Sequence, residues 1–476
     1  MAYKDLREWL AQIEQYGELR RIDGVPLYEE LGAVHELAHT KKNVAAILFD
    51  NIPGYPEGYR IACTVPSARS TALTLNLQLS QGASVLEMTQ KLREKLGDVG
   101  RIPPKVVKTG PVLENTYFDD DVDLMKFPVP KWHELDGGEF MGTGDLVITR
   151  DPDDGWINAG TYRVQRHDKN TLGFFISPGK HGRIHREKYF AKGQPCPVAV
   201  SFGHDPLMVA VGSSVFPSGF SEYEYAGGMR GEPVEVIHGP VTGLPIPAHS
   251  ELAIEGYSYP DEVRPEGPFG EFTGYYASGE RDEPVIHVKS VMHRNNPIIL
   301  GMPPLKPRTA AEVQIKRAAT VWNGLERAGI PDIVGVGCYI TFFITVVSIH
   351  QRYPGHSRQV GAIASQIPGG AYCGRWTIVV DEDIDPTDMD EVLWALATRC
   401  DPALSFDFLH RCLSTPLDPM SNKGLTPDGL RMFNSRVIVD ACIPYELKTR
   451  NLFPPVVGAS PGLLAKVKAK YEAFLD

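Results

Sequence analysis

The chain has 476 residues, a formal net charge of −11, 42% hydrophobic residues and 22% charged residues. This composition excludes a wholly disordered chain, a collagen and a small disulfide scaffold. The acidic balance excludes a basic nucleic-acid footprint over the whole chain, so an anionic ligand would need a local basic or metal site.

Residues 3–22 place Leu6, Leu10, Ile13 and Leu19 among charged residues, the spacing of an amphipathic helix. AAILFDNIPGYP (45–56) reads as a buried strand closed by a Gly/Pro turn. SVLEMTQKLREKLG (84–97) reads as a second helix with Gly97 as its C-cap. The Pro-rich stretch 99–111 is a linker, which bounds an N-terminal α/β domain at 1–105. From 145 to 300, LVITR, INAGTYRVQRH, TLGFFIS, PCPVAVSFG, SELAIEGYSY, GEFTGYYAS and VIHVKSVMHR predict short strands. They make a barrel or folded-over sheet, a central β-rich domain over 106–308, with 181–193 as its helical exception.

AAEVQIKRAATVWNGLERAG (310–329) predicts a linking helix within 309–330 that ends at Gly329. The apolar, β-branched run 333–349 falls short of the roughly 18–20 residues of a spanning helix and predicts one or two buried strands. A helix near 357–367 and a strand at 375–383 follow. Asp385-Pro386 caps the helix MDEVLWALATRC, a strand covers 435–444 and a helix covers 463–475. This alternation gives the third domain, 331–476, an α/β layer. The N-terminus is charged and has no apolar core of a signal peptide. Seven scattered cysteines without a CxxC argue for reduced thiols, and so for a cytoplasmic protein with no membrane span.

Three segments carry groups capable of chemistry. In PEGPFGEFTGYY (265–276), Pro268 and two glycines forbid a helix between Glu266 and Glu271, and a turn can bring both carboxylates to one cleft. Neighbouring carboxylates raise one pKa and create a proton donor; a plain turn with two solvated glutamates has the same sequence. In 156–186, Arg163 follows an Asn-x-Gly run, and the loop Pro178-Gly179-Lys180-His181-Gly182-Arg183 is either a phosphate seat or a basic surface turn. In 212–228, Ser213, Ser214, Glu222 and Glu224 offer oxygen ligands, and Asn, His and Glu together suit Mn²⁺ or Mg²⁺; by itself the segment reads equally as a loop with solvated carboxylates. The acidic run 381–391 reads as a strand end and capped helix start. His350, His356 and His410 read as structural, and GxGxxG and Walker A patterns are missing.

INAGTYR, the His181 loop, SEYEYAGG, EGPFGEFTGYY and HRNNPII follow one another over some 150 residues. In that order they resemble the UbiD family of reversible aromatic decarboxylases. The likeness continues from MAYKDLREWL through LGMP to VVDEDIDP and LWALATRC, nearest the bacterial branch acting non-oxidatively on hydroxybenzoates. It implies a multidomain α+β and α/β chain, with a central, split-barrel-like flavin-binding domain between two α/β domains. It further implies prenylated FMN held through its phosphate by Mn²⁺ (or Mg²⁺) and K⁺, and a homodimer or higher homo-oligomer. A flavin prenyltransferase would supply the cofactor.

Carried over by residue, Asn158, His181 and Glu222 match the Mn²⁺ ligands, and the backbone from Val211 to Ser214 would face K⁺. Gly160, Thr161, Tyr162, Arg163, Lys180, Ser213 and Ser214 complete the cofactor-binding set. Arg163, Glu266 and Glu271 match the catalytic Glu-Arg-Glu set. Arg375 stands where related sequences carry Lys, which keeps the charge but changes its shape. The implied substrate is an aromatic or α,β-unsaturated acid, with pocket walls from Met302, Pro303, Leu305 and 413–419. Two rivals are a flavin-binding but catalytically silent subunit and an oxidoreductase using ordinary FMN.

Overall fold

The computed structural model describes residues 3–41, 43–80, 82–214, 216–277, 279–307, 314–341, 343–420 and 433–471. The expected helical residues 310–313 and 472–475 lie outside that set. The first helix is shorter than its periodicity suggests. It runs Leu6–Gln15, capped by Asp5, and ends before Gly17, whose positive φ of 72° turns the chain into the strand Leu19–Asp23. Leu6, Trp9, Leu10 and Ile13 are its buried face. Two further helices, Glu30–His39 and Ala68–Thr74, were not foreseen from sequence; the second is capped by the Ser67/Ser70 box.

Strands Leu19–Asp23, Ala46–Asp50, Arg60–Thr64 and Ile298–Gly301 form a four-stranded sheet in that order. The last strand comes from beyond the long central segment and pairs parallel to Arg60–Thr64. The chain thus returns to the N-terminal sheet before it moves on. One hydrophobic core runs from Phe49 and Ile61 through Trp132 and Phe140 to Phe174 and Phe202. Burying each such side chain is worth about 1.5–3 kcal/mol, so these two regions pack as one body.

The central sheet has ten strands, all in antiparallel pairs. Its hub is the 13-residue strand Arg281–His293, which pairs with Thr171–Gly173, Leu252–Ser258, Val263–Glu266 and Asn115–Phe118. Helix His181–Ala191 is present as expected, but it is not the sole exception. Pro206–Gly212 and Glu222–Arg230 are also helices. Asp205-Pro206 starts one, and Ser221 caps the other by accepting from the Glu224 amide, so Glu222 and Glu224 occupy a helix's first turn rather than a loop.

Helix Ile315–Arg327 buries Ala318, Ala319, Val321, Trp322 and Leu325 and packs on Val85–Gly97. Beyond it, the apolar run splits into Ile333–Tyr339 and Ile344–Ile349, an antiparallel pair. With Trp376–Asp381, Phe433–Ala441 and Phe406–Leu413 these make a five-stranded mixed sheet. Its parallel pairs are bridged by helices His356–Ala364 and Met389–Arg399. All seven cysteines are free thiols.

Candidate active site

The strand Ile157–Gly160 stops one residue short of Thr161, and pairing resumes only at Val164. Residues 161–163 cross that break, so Arg163 leaves the sheet and points inward. There it meets Glu266, the last residue of Val263–Glu266. Arg163 Nε and Nη2 donate to the two oxygens of Glu266, each at 2.7 Å, and Nη1 donates to Glu271 Oε1 at 2.9 Å. Gly267, with φ of 86°, makes the bend that carries the chain from one glutamate towards the other. The 271–275 turn is closed by the Glu271 amide on the Tyr275 carbonyl.

Glu266 is 1% exposed and Glu271 8% exposed. Burial pushes the Glu271 carboxyl up to about 7, outweighing the opposing charges of Arg163 and Arg281. Burial also pulls Arg163 down, but Glu266 and Glu271 more than offset it, so the guanidinium stays charged. Phe175 lies against both arginines, 4.4 Å from Arg163 Cζ and 4.1 Å from Arg281 Cζ, and Phe269 lies 5.5 Å from Arg163 Cζ. Arg281 is the cross-strand partner of Glu266.

The second cluster joins the same strand to two helix starts. Asn158 Nδ2 donates to Glu222 Oε1 at 2.9 Å and the Ala159 amide to Oε2 at 3.1 Å. The Tyr162 hydroxyl donates to Asn158 Oδ1 at 2.9 Å and accepts from the Gly182 amide at 3.3 Å. That chain of contacts sets Gly182, and with it the start of the helix that His181 begins, beside Asn158. The His181 ring stands edge-on to Trp156 at 4.8 Å. Only glycine serves at 182, since a Cβ would lie 2.7 Å from the Tyr162 ring and 3.3 Å from Asn158 Oδ1. Gly160 is confined likewise by the Tyr162 hydroxyl, 2.5 Å from where its Cβ would lie. Glu222 is 4% exposed and, among the described residues, receives hydrogen bonds only from neutral donors; burial pushes it up to about 7. Burial and then Lys180 push His181 below its ordinary value, leaving a neutral imidazole with a free lone pair.

The remaining expected residues separate. Thr161 and Ser213 line a cavity of about 320 Å³ with Thr143, Met302 and Lys316, and Thr161 Oγ1 is buried there with no partner among the described residues. Ser213 and Ser214 accept from Lys316 Nζ at 3.3 and 3.1 Å. Lys180 Nζ lies 5.4 Å over the ring of Tyr372, which precedes the strand Trp376–Asp381, and burial lowers its pKa. Leu305 and Glu271 share the wall of a separate cleft of about 590 Å³. Arg375 joins neither cluster. Its Nη2 donates to both oxygens of Asp418, at 2.8 and 2.7 Å, and its guanidinium lies 5.1 Å over Phe343. Ser414 and Asp418 of the 413–419 loop are buried around that pair.

Four residues at these clusters escaped the sequence reading. Phe175, Phe269 and Arg281 lie in strand- and turn-like stretches with no motif of their own. Lys316 looks like one charge on an amphipathic helix. A signal existed at one place: the S-x-x-E pattern of 221–224 marks a helix start and would have fixed Glu222 in its first turn.

The family model for the 3-octaprenyl-4-hydroxybenzoate carboxy-lyase (UbiD) Rift-related domain matches residues 105–307, and that for its C-terminal domain matches 313–441. A phenolic acid decarboxylase of Bacillus subtilis (strain 168) is 34% identical over 465 residues, 94% of each chain. The vanillic acid decarboxylase of Sedimentibacter hydroxybenzoicus in its open form superimposes with a TM-score of 0.85 at 29% identity over all of both chains. An evolved dimeric form of the UbiD-class enzyme HmfF from Pelotomaculum thermopropionicum, in complex with prFMN, gives 0.80 at 25% identity over 97% of this chain and 98% of that one.

Proposed function

This chain belongs to the UbiD family of carboxy-lyases, and from that premise we propose that it removes carbon dioxide reversibly, without net oxidation, from an aromatic or α,β-unsaturated carboxylic acid. The observation that carries the reading is the buried Glu266–Arg163–Glu271 arrangement. Loss of CO₂ from an sp² carbon leaves a carbanion that a general base or a metal alone stabilises poorly. Prenylated FMN, when bound, supplies the organic electron sink such a reaction needs.

The chain's own residues supply the rest. Arg163 has five N–H groups and spends three on the glutamates, leaving two for a substrate carboxylate. Glu266 fixes the aim of that guanidinium with its two parallel bonds. Glu271, carrying a proton near neutrality, delivers it to the carbon that lost CO₂ and retrieves it in the reverse direction.

Asn158, His181 and Glu222 suit Mn²⁺ better than Mg²⁺, because one donor is a neutral imidazole. The buried Glu222 carboxylate, supported only by neutral donors, is the kind of group a divalent cation would stabilise. The unpartnered Thr161 hydroxyl beside Ser213 fits the phosphate end of a flavin nearby. K⁺ does not fit in the same way, since the oxygens next to Val211–Ser214 already hold Lys316. A homo-oligomer is the expected assembly, supported by the dimeric relative. Among the described residues no helix is long and apolar enough to cross a membrane.

The test is the purified chain produced with and without a flavin prenyltransferase, assayed against a panel of hydroxylated aromatic acids. CO₂ release only with the prenyltransferase is expected. No release in either preparation would favour the silent-subunit reading, and flavin reduction chemistry on ordinary FMN the oxidoreductase reading.

A further inference from the structure

Lys316 is the second residue of the helix Ile315–Arg327, the end where the backbone dipole disfavours a cation. Its ammonium nevertheless lies against another helix's carboxyl end. Nζ donates to the carbonyl of Ala210, to Ser213 Oγ at 3.3 Å and to Ser214 Oγ at 3.1 Å. An ammonium has three N–H groups, and these three oxygens use all of them. The two serine hydroxyls donate to the Ala210 carbonyl, at 3.1 and 3.0 Å, which leaves their lone pairs facing Lys316. The Thr161 amide donates to the adjoining Gly212 carbonyl at 3.2 Å, which ties the cluster to the segment carrying Asn158 and Arg163.

One carbonyl and two hydroxyls, gathered at a helix carboxyl end, form a seat for a monovalent cation. Here the side chain of a different helix fills it. A K⁺ ion at the same oxygens would sit against Nζ, with like charges in contact and no intervening water. We propose that Lys316 is a tethered monovalent cation, which organises the phosphate end of the flavin site in place of K⁺. This rests on the flavin reading above only for where the cluster acts. The occupancy of the oxygens rests on geometry alone.

Two measurements test it. FMN affinity of the full chain is measured in KCl and in tetramethylammonium chloride at equal ionic strength and saturating Mn²⁺. The wild type should bind equally in both, whereas Lys316→Ala should bind about tenfold more weakly without K⁺ and recover when K⁺ is added. Separately, the metal-free chain is dialysed against Rb⁺ and analysed for bound metal. The wild type should retain none, and Lys316→Ala should gain one ion per chain. Retention of one Rb⁺ by the wild type, or a K⁺-dependent wild-type affinity, overturns the proposal. So does an Ala variant indifferent to K⁺. If the wild type binds FMN in neither salt, the flavin reading fails, and the Rb⁺ measurement on the wild type still decides who occupies the oxygens.

Discussion

Glu266 engages Arg163 with both of its oxygens at 2.7 Å, the paired geometry that fixes a guanidinium in one orientation. Glu271 takes a single bond of 2.9 Å from the same group. The two carboxylates are therefore unequal before any substrate arrives. One is committed to aiming the arginine, and the other, pushed up to about 7 by burial, is free to gain and lose a proton.

From this inequality, Glu271→Gln should retain cofactor but lose at least about 10² in turnover, the lower end for a positioned acid–base. Glu266→Gln should also retain cofactor, with its defect arising from a misdirected Arg163. Decarboxylation rate and solvent deuterium incorporation, compared at equal cofactor occupancy, check both. Wild-type deuterium exchange in Glu271→Gln would remove that residue as proton donor and pass the role to Glu266 or water.

Decarboxylation should fall as pH rises through about 7, because the donor form of Glu271 is being lost. The stability effect has the same direction. Between the ordinary carboxyl value of 4.5 and about 7, the folded chain holds a proton that the unfolded chain has released, so raising pH through that window removes stability. Tm profiles of the metal-free wild type and Glu271→Gln should converge at low pH and separate across it, the variant being the less pH-sensitive. Parallel profiles would show that Glu271 titrates normally. The rate profile reports the glutamate pair rather than one residue.

If His181 and Glu222 hold the metal as proposed, His181→Ala and Glu222→Ala should each lose bound Mn²⁺ and flavin together, since each would supply a ligand to a shared contact. Elemental analysis and flavin absorbance of the purified variants measure this. Full occupancy of both in either variant contradicts the assignment of that ligand.

Gly182→Ala should leave the helix His181–Ala191 at least as stable, because alanine is favoured over glycine in helices by about 1 kcal/mol. Its Cβ, however, would press on the Tyr162 ring and crowd Asn158. The expected variant is folded, with an unchanged Tm and weakened Mn²⁺ and flavin binding. Wild-type binding would mean that Tyr162 moves aside without cost.

Arg375→Lys should stay folded and at least partly active. Arg375 Nη2 donates to both Asp418 oxygens and the guanidinium stacks on Phe343, so the change trades these contacts for those of a compact ammonium at about 1 kcal/mol. Urea unfolding and flavin content check it. A folded, flavin-replete but inactive variant would show that the guanidinium takes part in turnover.

Much of this was local and so legible in the chain itself. Pro268 and its glycines exclude a helix between Glu266 and Glu271, and β-branched runs select strands, each through forces acting over a few residues. The ordered motifs from INAGTYR to HRNNPII likewise pointed to one family before any geometry was known. Only the tertiary structure decided which of these groups meet. Asn158 and Glu222 are 64 residues apart and Arg163 and Glu271 108 apart, and each pair is joined by the antiparallel sheet and the helices seated on it. It also decided that Arg281 lies across from Glu266, that Lys316 caps a distant serine pair and that Arg375 turns to Asp418 instead. The reason is physical: strand register and helix packing are set by burying apolar surface over the whole body, a sum over distant residues that no local spacing records.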